Sequence, residues 1–190
     1  MSVKTICKLI KGVTTMNEWN KLFLVGEQDG VKGDFNTLIS MMNYVRYTTL
    51  EAIKDITVEE LDYLHSKAGN SIGMLLTHMA GVEYWYQLNT FENRDLNSEE
   101  EKKWLPGLDL DEGARESIKG NDANYYINLL NSIREDTYLK FNTLSDEWLH
   151  EQTEFGSTKA TNYFKWFHVF EDEINHRGQI RMIRKLYKNS

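Results

Sequence analysis

Apolar residues recur at intervals of three and four over four long segments of the chain, a spacing that predicts amphipathic helices. The segments are residues 34–54, 70–88, 122–141 and 162–187. A long, charged stretch that contains Pro106 separates the second from the third, and we expect it to be an irregular crossover with about one helical turn. The pattern therefore predicts an all-α fold, a four-helix bundle with a long crossover between helices 2 and 3.

Capping residues place the predicted helix ends. Asp34 is a predicted N-cap for the first helix, and Thr57 followed by Glu60 is a capping-box pattern that predicts a short helical turn in the connector to the second helix. Glycines break the stretch before Asp34. We expect residues 1–33 to form an irregular N-terminal lead-in and residues 34–190 to form the bundle domain.

Composition narrows the class of protein. A chain of 190 residues with 41% hydrophobic residues is long enough for one domain with a sizeable core. The net charge of −7, without a dense Lys/Arg cluster, argues against a nucleic-acid partner. No apolar run is long enough to span a membrane, and the single cysteine, Cys7, excludes an intrachain disulfide. A cytoplasmic location is the expectation.

The candidate chemistry lies on the fourth helix, where His168, Asp172 and His176 are four residues apart. Residues at i and i+4 lie on one helix face. The same face continues to apolar residues at both ends, so we expect it to point into the core. Buried polar groups must be satisfied, and a bound metal is one way to satisfy them.

A metal site needs a further ligand from another helix, and His78 on the inward face of the second helix is the best candidate. Two imidazoles and a carboxylate suit a divalent transition metal such as zinc, nickel, iron or manganese. Three protein ligands would leave a position open for water or substrate. The alternative is an Asp–His ion pair on one helix and a hydrogen-bonded core histidine on the other.

Two segments, GNSIGMLLTHMAGVEYWY around His78 and HVFEDEINHRGQIRMI around His176, resemble the DinB-like (damage-inducible) family of metal-binding four-helix bundles. The resemblance extends from about Asp34 to the C-terminus. It implies that His78, Asp172 and His176 hold the metal. The middle position, commonly histidine in that family, is Asp172 here. His168 matches a family histidine outside the usual triad, and we expect it either to join the ligands or to orient Asp172.

The resemblance also implies a function. Related enzymes join a low-molecular-weight thiol, such as bacillithiol or mycothiol, to a small electrophile through a metal-bound thiolate; a metal-dependent hydrolase is also compatible with the site. The alternative is a non-catalytic stress-response or binding bundle with a structural or vestigial metal site. Many relatives are homodimers, so we expect a homodimer.

Residues beside the cluster are candidate pocket residues. Gln179 could hydrogen-bond near the open metal position, and Arg177 and Trp85 could line the pocket. We expect Gly178 to permit the close approach of a neighbouring helix.

Overall fold

The computed structural model describes residues 21–28, 31 and 33–190, so most of the predicted lead-in lies outside the described residues. The all-α fold is confirmed. None of the helices in the described part of the chain is both long and apolar enough to cross a membrane. The elements in chain order are α1 (Gly33–Ala52), α2 (Val58–Asp62), α3 (Ile72–Gln87), a π-helical turn (Leu88–Glu92), α4 (Ser98–Asp109), α5 (Glu112–Ser117), α6 (Ala123–Phe141), α7 (Asp146–His150), β1 (Gln152–Phe155), β2 (Thr158–Thr161) and α8 (Asn162–Tyr187).

The helices α1, α3, α6 and α8 form the bundle, with α8 packed against α1 and α3, and α3 packed against α6. Side-chain caps start three of them. Ser71, Asp122 and Thr161 each accept a hydrogen bond from the backbone N–H three residues later. The predicted segments for helices two, three and four therefore agree with the structure to within a few residues, because these caps are local signals.

The start of α1 differs from the prediction. The helix begins at Gly33, so Asp34 lies in its first turn and is not the N-cap. The Asp34 backbone N–H instead donates to Asp146 Oδ1 at 3.1 Å, a carboxylate from the first turn of α7. Only one of the two hydrogen bonds of the predicted capping box at Thr57 is present. Thr57 Oγ1 accepts from the Glu60 N–H at 3.3 Å, while the Glu60 carboxylate accepts from Arg184 on α8 instead.

The crossover is more helical than predicted, because residues 93–121 contain α4 and α5. Asn97 and Glu100 form a reciprocal capping box at the start of α4, and Pro106 lies in its last turn. Trp104 is 2% exposed and stacks on Tyr84 of α3 at a ring-centroid distance of 5.1 Å. This charged segment is helical because the capping box starts α4 and because Trp104, with Leu108 and Ile118, packs against the core.

The connection between α6 and α8 also holds regular structure that the sequence pattern did not indicate. Strands β1 and β2 pair antiparallel, with Gln152 opposite Thr161 and Phe155 opposite Thr158. Gly156 in the turn has a φ of +57°, which glycine adopts without strain. This hairpin lies against the start of α8 and contributes to a cavity described below.

Two clusters of buried apolar side chains form the core. Between the two clusters, each of the four bundle helices contributes one charged side chain to a buried charge layer. Arg46 of α1 and Arg134 of α6 each contact both Glu83 of α3 and Glu173 of α8, at 2.7–3.3 Å. All four side chains are at most 2% exposed. A buried charge that loses its partner is strongly destabilising, so these four contacts fix the register of the four helices relative to one another.

Candidate metal centre

The helices α3 and α8 run antiparallel and bring His78, Asp172 and His176 together. Asp172 Oδ1 lies 3.7 Å from His78 Nε2 and 3.3 Å from His176 Nε2. The two imidazole rings meet edge to face, with their centroids 4.7 Å apart. One ligand atom from each of the three residues lies within 4.8 Å of the other two, and these residues form the one such group found in the described part of the chain.

The spacing is close to that of a coordination shell. Zinc binds imidazole nitrogen and carboxylate oxygen at about 2.0–2.2 Å, so ligand atoms at the corners of a tetrahedron lie about 3.3–3.5 Å apart. Both measured distances to Asp172 Oδ1 are near that range. The side chains of His78, Asp172 and His176 are 14%, 17% and 12% exposed. The cluster is therefore largely buried, with a small part of each side chain exposed to solvent.

The crossover helix α4 orients His78. Its Nδ1–H donates to the carbonyl oxygen of Gly107 at 3.0 Å. Because a carbonyl can only accept, the proton is on Nδ1, and Nε2 faces Asp172. A ligating histidine is commonly fixed through its other ring nitrogen in this way. Gly107 is required at this close approach, since a Cβ there would lie 2.8 Å from Thr77 Cγ2.

Two polar atoms of the cluster are buried and have no hydrogen-bond partner among the described residues. They are Asp172 Oδ2 and His176 Nδ1. A buried polar atom without a partner is costly. The residues present therefore fit a bound cation, which would take the Nε2 lone pairs of the two histidines and the charge of a carboxylate whose Oδ2 the protein leaves unpaired.

In the cluster, the carboxylate form of Asp172 and the protonated forms of the histidines stabilise one another. Burial alone would raise the pKa of Asp172, but His176 and His78 outweigh that effect and hold the pKa well below its ordinary value. Burial alone would lower the pKa of His78, but the hydrogen bond and charge of Asp172, together with the Gly107 and Leu108 carbonyls, raise it above 6.5. Asp172 is therefore a carboxylate at neutral pH and attracts positive charge to this position.

The structure does not bring His168 into the cluster. Its Nδ1 lies 3.2 Å from the hydroxyl of Tyr86, and its Nε2 lies 4.0 Å from Glu171. His168 lies one helical turn before Asp172, so its ring contacts α3 near the C-terminal end of that helix. The structure thus places His168 beside Tyr86 and Glu171, while the expectation that it joins the ligands or orients Asp172 stays a prediction.

The candidate pocket residues also lie apart from the cluster. Arg177 donates to the Thr48 hydroxyl, so it points toward α1 and not toward His78 on α3. Gln179 is exposed to solvent. Trp85 is half-buried on α3, two helical turns after His78. A Cβ added at Gly178 would meet nothing within 4 Å, so the expectation of a close helix approach there is wrong.

Gly107 and Tyr86 were not among the residues singled out from the sequence. Gly107 follows Pro106 in the crossover, and a glycine in that place ordinarily indicates a turn. Tyr86 lies next to Trp85 in an aromatic run that indicates only core packing. Neither residue type nor spacing pointed to the contacts that they make with His78 and His168.

A search of curated proteins found no match to the chain. The family model for mycothiol S-transferase matches residues 37–189. That range begins in the second turn of α1 and includes the rest of the four bundle helices, together with all three residues of the cluster. The chain therefore belongs to the mycothiol S-transferase family, a DinB-like family of helical bundles related to thiol transferases.

Proposed function

We propose that this protein is a metal-dependent S-transferase that joins a low-molecular-weight thiol to a small electrophile at the cluster of His78, Asp172 and His176. The observation that carries the proposal is the cluster itself, which places three ligand atoms within 4.8 Å and leaves two buried polar atoms unpaired. Membership of a thiol S-transferase family supports the reaction class.

In this proposal His78 and His176 supply nitrogen and Asp172 supplies oxygen to a divalent cation. The chemistry that the cation supplies when bound is Lewis acidity, which lowers the pKa of a thiol so that its sulfur is nucleophilic near neutral pH. The carbonyl of Gly107 holds the His78 ring in the tautomer that presents Nε2. The substrate sulfur loses its proton to solvent, forms a bond to the electrophilic carbon and displaces the leaving group.

The donor set bears on which metal binds. A carboxylate is a harder donor than the imidazole that the resemblance implies at position 172. We infer that Asp172 favours zinc, iron(II) or manganese over nickel. The contacts of Asp172 with the two histidines are also compatible with a metal-free ion-paired cluster, which is the non-catalytic alternative.

The test measures metal content and thiol conjugation on the same untagged protein. Chelator-treated protein is reconstituted with zinc, iron(II), manganese or nickel and then assayed with mycothiol or bacillithiol and an electrophile such as 1-chloro-2,4-dinitrobenzene. We expect one equivalent of metal per chain and conjugation that needs both metal and thiol. His176→Ala should lose both, while Gln179→Ala, a nearby exposed change, should keep both.

Two results would contradict the proposal. If all four metals leave the thermal stability and elemental content of the protein unchanged, the cluster is an ion-paired core element. If the loaded protein turns over ester or amide substrates but does not consume thiol, the site activates water instead.

A further inference from the structure

Facing rows of side chains extend from the cluster along α3 and α8. On α3 and the π-helical turn that continues it, the row is half-buried and consists of His78, Val82, Trp85 and Asn89. On α8 the row consists of Lys165, His168, Asp172 and His176. The spacing of three and four residues keeps each row on one face of its helix. Because the helices are antiparallel, His78 meets Asp172 at one end, and Asn89 meets Lys165 at the other.

A cavity of about 630 Å³ opens at the end of the rows that is remote from the cluster. The π-helical turn, the segment after it, both strands of the hairpin and the first turn of α8 contribute its walls. All of the residues that line it are polar or charged. A cavity with such walls suits a ligand that forms many hydrogen bonds, and it does not suit an apolar one.

Lys165 is the unusual member of this cavity, since it is 1% exposed. Its Nζ donates to Asn89 Oδ1 at 2.8 Å, and an ammonium group can donate three hydrogen bonds. Asn89 is the one hydrogen-bond acceptor for Nζ among the residues that the structure describes. Burial lowers the pKa of Lys165, and the charge of Glu154 opposes that effect. A buried ammonium with donors to spare is a binding group for a ligand oxygen.

Helix geometry gives the distance between Lys165, in the cavity, and the cluster. Lys165 precedes Asp172 by seven residues, so the two lie about 10 Å apart along α8 at a rise of 1.5 Å per residue. The row on α3 is longer, since Asn89 follows His78 by eleven residues, or about 16 Å at the same rise. The distance of about 10 Å between Lys165 and Asp172 is within the length of one extended small molecule.

We propose that this cavity binds the oxygen-rich end of the thiol cosubstrate, with Lys165 donating to one of its hydroxyl or carboxylate oxygens, while the sulfur lies at the cluster. This inference rests on the proposed function for the position of the sulfur. The polar walls favour a hydroxyl-rich thiol as occupant, because its many oxygens can pair with the hydrogen-bonding groups of the walls. Asn89 and Gln152 supply amide donors and acceptors to the same ligand end.

The test compares a pair of thiols that differ only in the polar end. Mycothiol carries its N-acetylcysteine head on a hydroxyl-rich glucosaminyl-inositol unit, and free N-acetylcysteine lacks that unit. Binding of each to zinc-loaded protein is measured by calorimetry. We expect Lys165→Met to weaken mycothiol binding about ten-fold or more, the effect of one charged hydrogen bond, and to leave N-acetylcysteine binding unchanged.

Two further variants keep the result interpretable. Lys165→Arg keeps the charge and should retain most of the mycothiol affinity. Gln152→Ala, at an exposed position of the hairpin that cannot unfold the core, should weaken mycothiol binding several-fold without changing the melting temperature. Equal mycothiol binding by native protein, Lys165→Met and Gln152→Ala would overturn the inference.

A sulfur-free probe separates this inference from the proposed function. Glucosaminyl-inositol should bind chelator-treated native protein and should bind Lys165→Met at least ten-fold more weakly. If the probe binds in this way while the metal assays fail, the result supports the cavity as a binding site and contradicts the proposed metal-dependent reaction. If the protein binds metal and conjugates thiol but Lys165→Met changes the binding of neither the probe nor mycothiol, the result contradicts the assignment of the cavity alone.

Discussion

The Nδ1–H of His78 donates to the main-chain carbonyl of Gly107 at 3.0 Å. This bond joins a candidate ligand on a bundle helix to the crossover, 29 residues later in the chain. The crossover is therefore part of the site, because the orientation of the His78 ring depends on where α4 lies.

Gly107→Ala tests that dependence. A Cβ at 2.8 Å from Thr77 Cγ2 would push α4 away from α3 and weaken the bond to His78. We expect metal affinity to fall about 10–100-fold, the usual effect of losing a group that orients a ligand. Competition with a fluorescent zinc chelator measures the change.

Gly178→Ala is the matched control. It lies two residues from His176 but meets nothing within 4 Å, so metal affinity should not change. The exposed helix should gain about 1 kcal/mol of stability, because alanine has the higher helix propensity. A loss of metal affinity in this variant would show that the glycine has a role that its open surroundings do not explain.

Arg134→Met tests the buried charge layer. Arg134 is 0% exposed and contacts Glu83 and Glu173, which would each lose a partner. We expect a loss of about 3–5 kcal/mol in the free energy of unfolding, measured by urea denaturation. Arg94→Met removes an arginine that is 37% exposed and paired with Glu92 and Glu100, and it should change the free energy of unfolding far less, because solvent screens an exposed ion pair. Equal losses in the two variants would refute the special role of the layer.

The metal-free cluster should depend on pH with a definite sign. The pKa of His78 is raised in the folded protein, so its contact with Asp172 stabilises the fold fully below pH 6.5 and less as the pH rises through the raised pKa. In chelator, the melting temperature of native protein should exceed that of His78→Gln by more at pH 5.5 than at pH 8.5. Added zinc should reverse the order, because protons compete with the metal for His78. A difference that does not change with pH in chelator would contradict this assignment.

Asp172→His tests the donor at the middle position. Replacing the carboxylate with imidazole gives a three-histidine set, which should bind nickel and zinc more tightly relative to manganese. Competition between metals, followed by elemental analysis of the washed protein, measures the preference. Asp172→Asn is the control, since it removes the charge and should weaken all of these metals. Unchanged metal preference in Asp172→His would indicate that Asp172 does not contact the metal.

The homodimer stays a prediction. Phe167, Ile174 and Met182 are apolar side chains on α8 that are 39–64% exposed, and an interface between two copies could cover them. Light scattering after size exclusion should give about twice the chain mass of 22.3 kDa. Met182→Asp should shift the mass toward that of one chain without changing metal content. A native mass equal to that of one chain would refute the prediction.

The four bundle helices were predictable because their signals are local. Caps at Ser71, Asp122 and Thr161 and the spacing of apolar residues depend on hydrogen bonds and contacts within a few residues of chain. The i,i+4 pair of Asp172 and His176 is local in the same sense. The β-hairpin was missed because its two four-residue strands are mostly polar and carry little periodicity.

The sequence by itself determined that the four bundle helices form and that His78, Asp172 and His176 lie on inward faces. Tertiary structure alone decided that α4 supplies the Gly107 carbonyl to His78, that His168 contacts Tyr86 and not the cluster, and that Lys165 is buried beside a polar cavity. The physical reason is the distance along the chain. These contacts join residues 29 to 82 positions apart, and their geometry depends on how whole helices pack and on no pattern within a single segment.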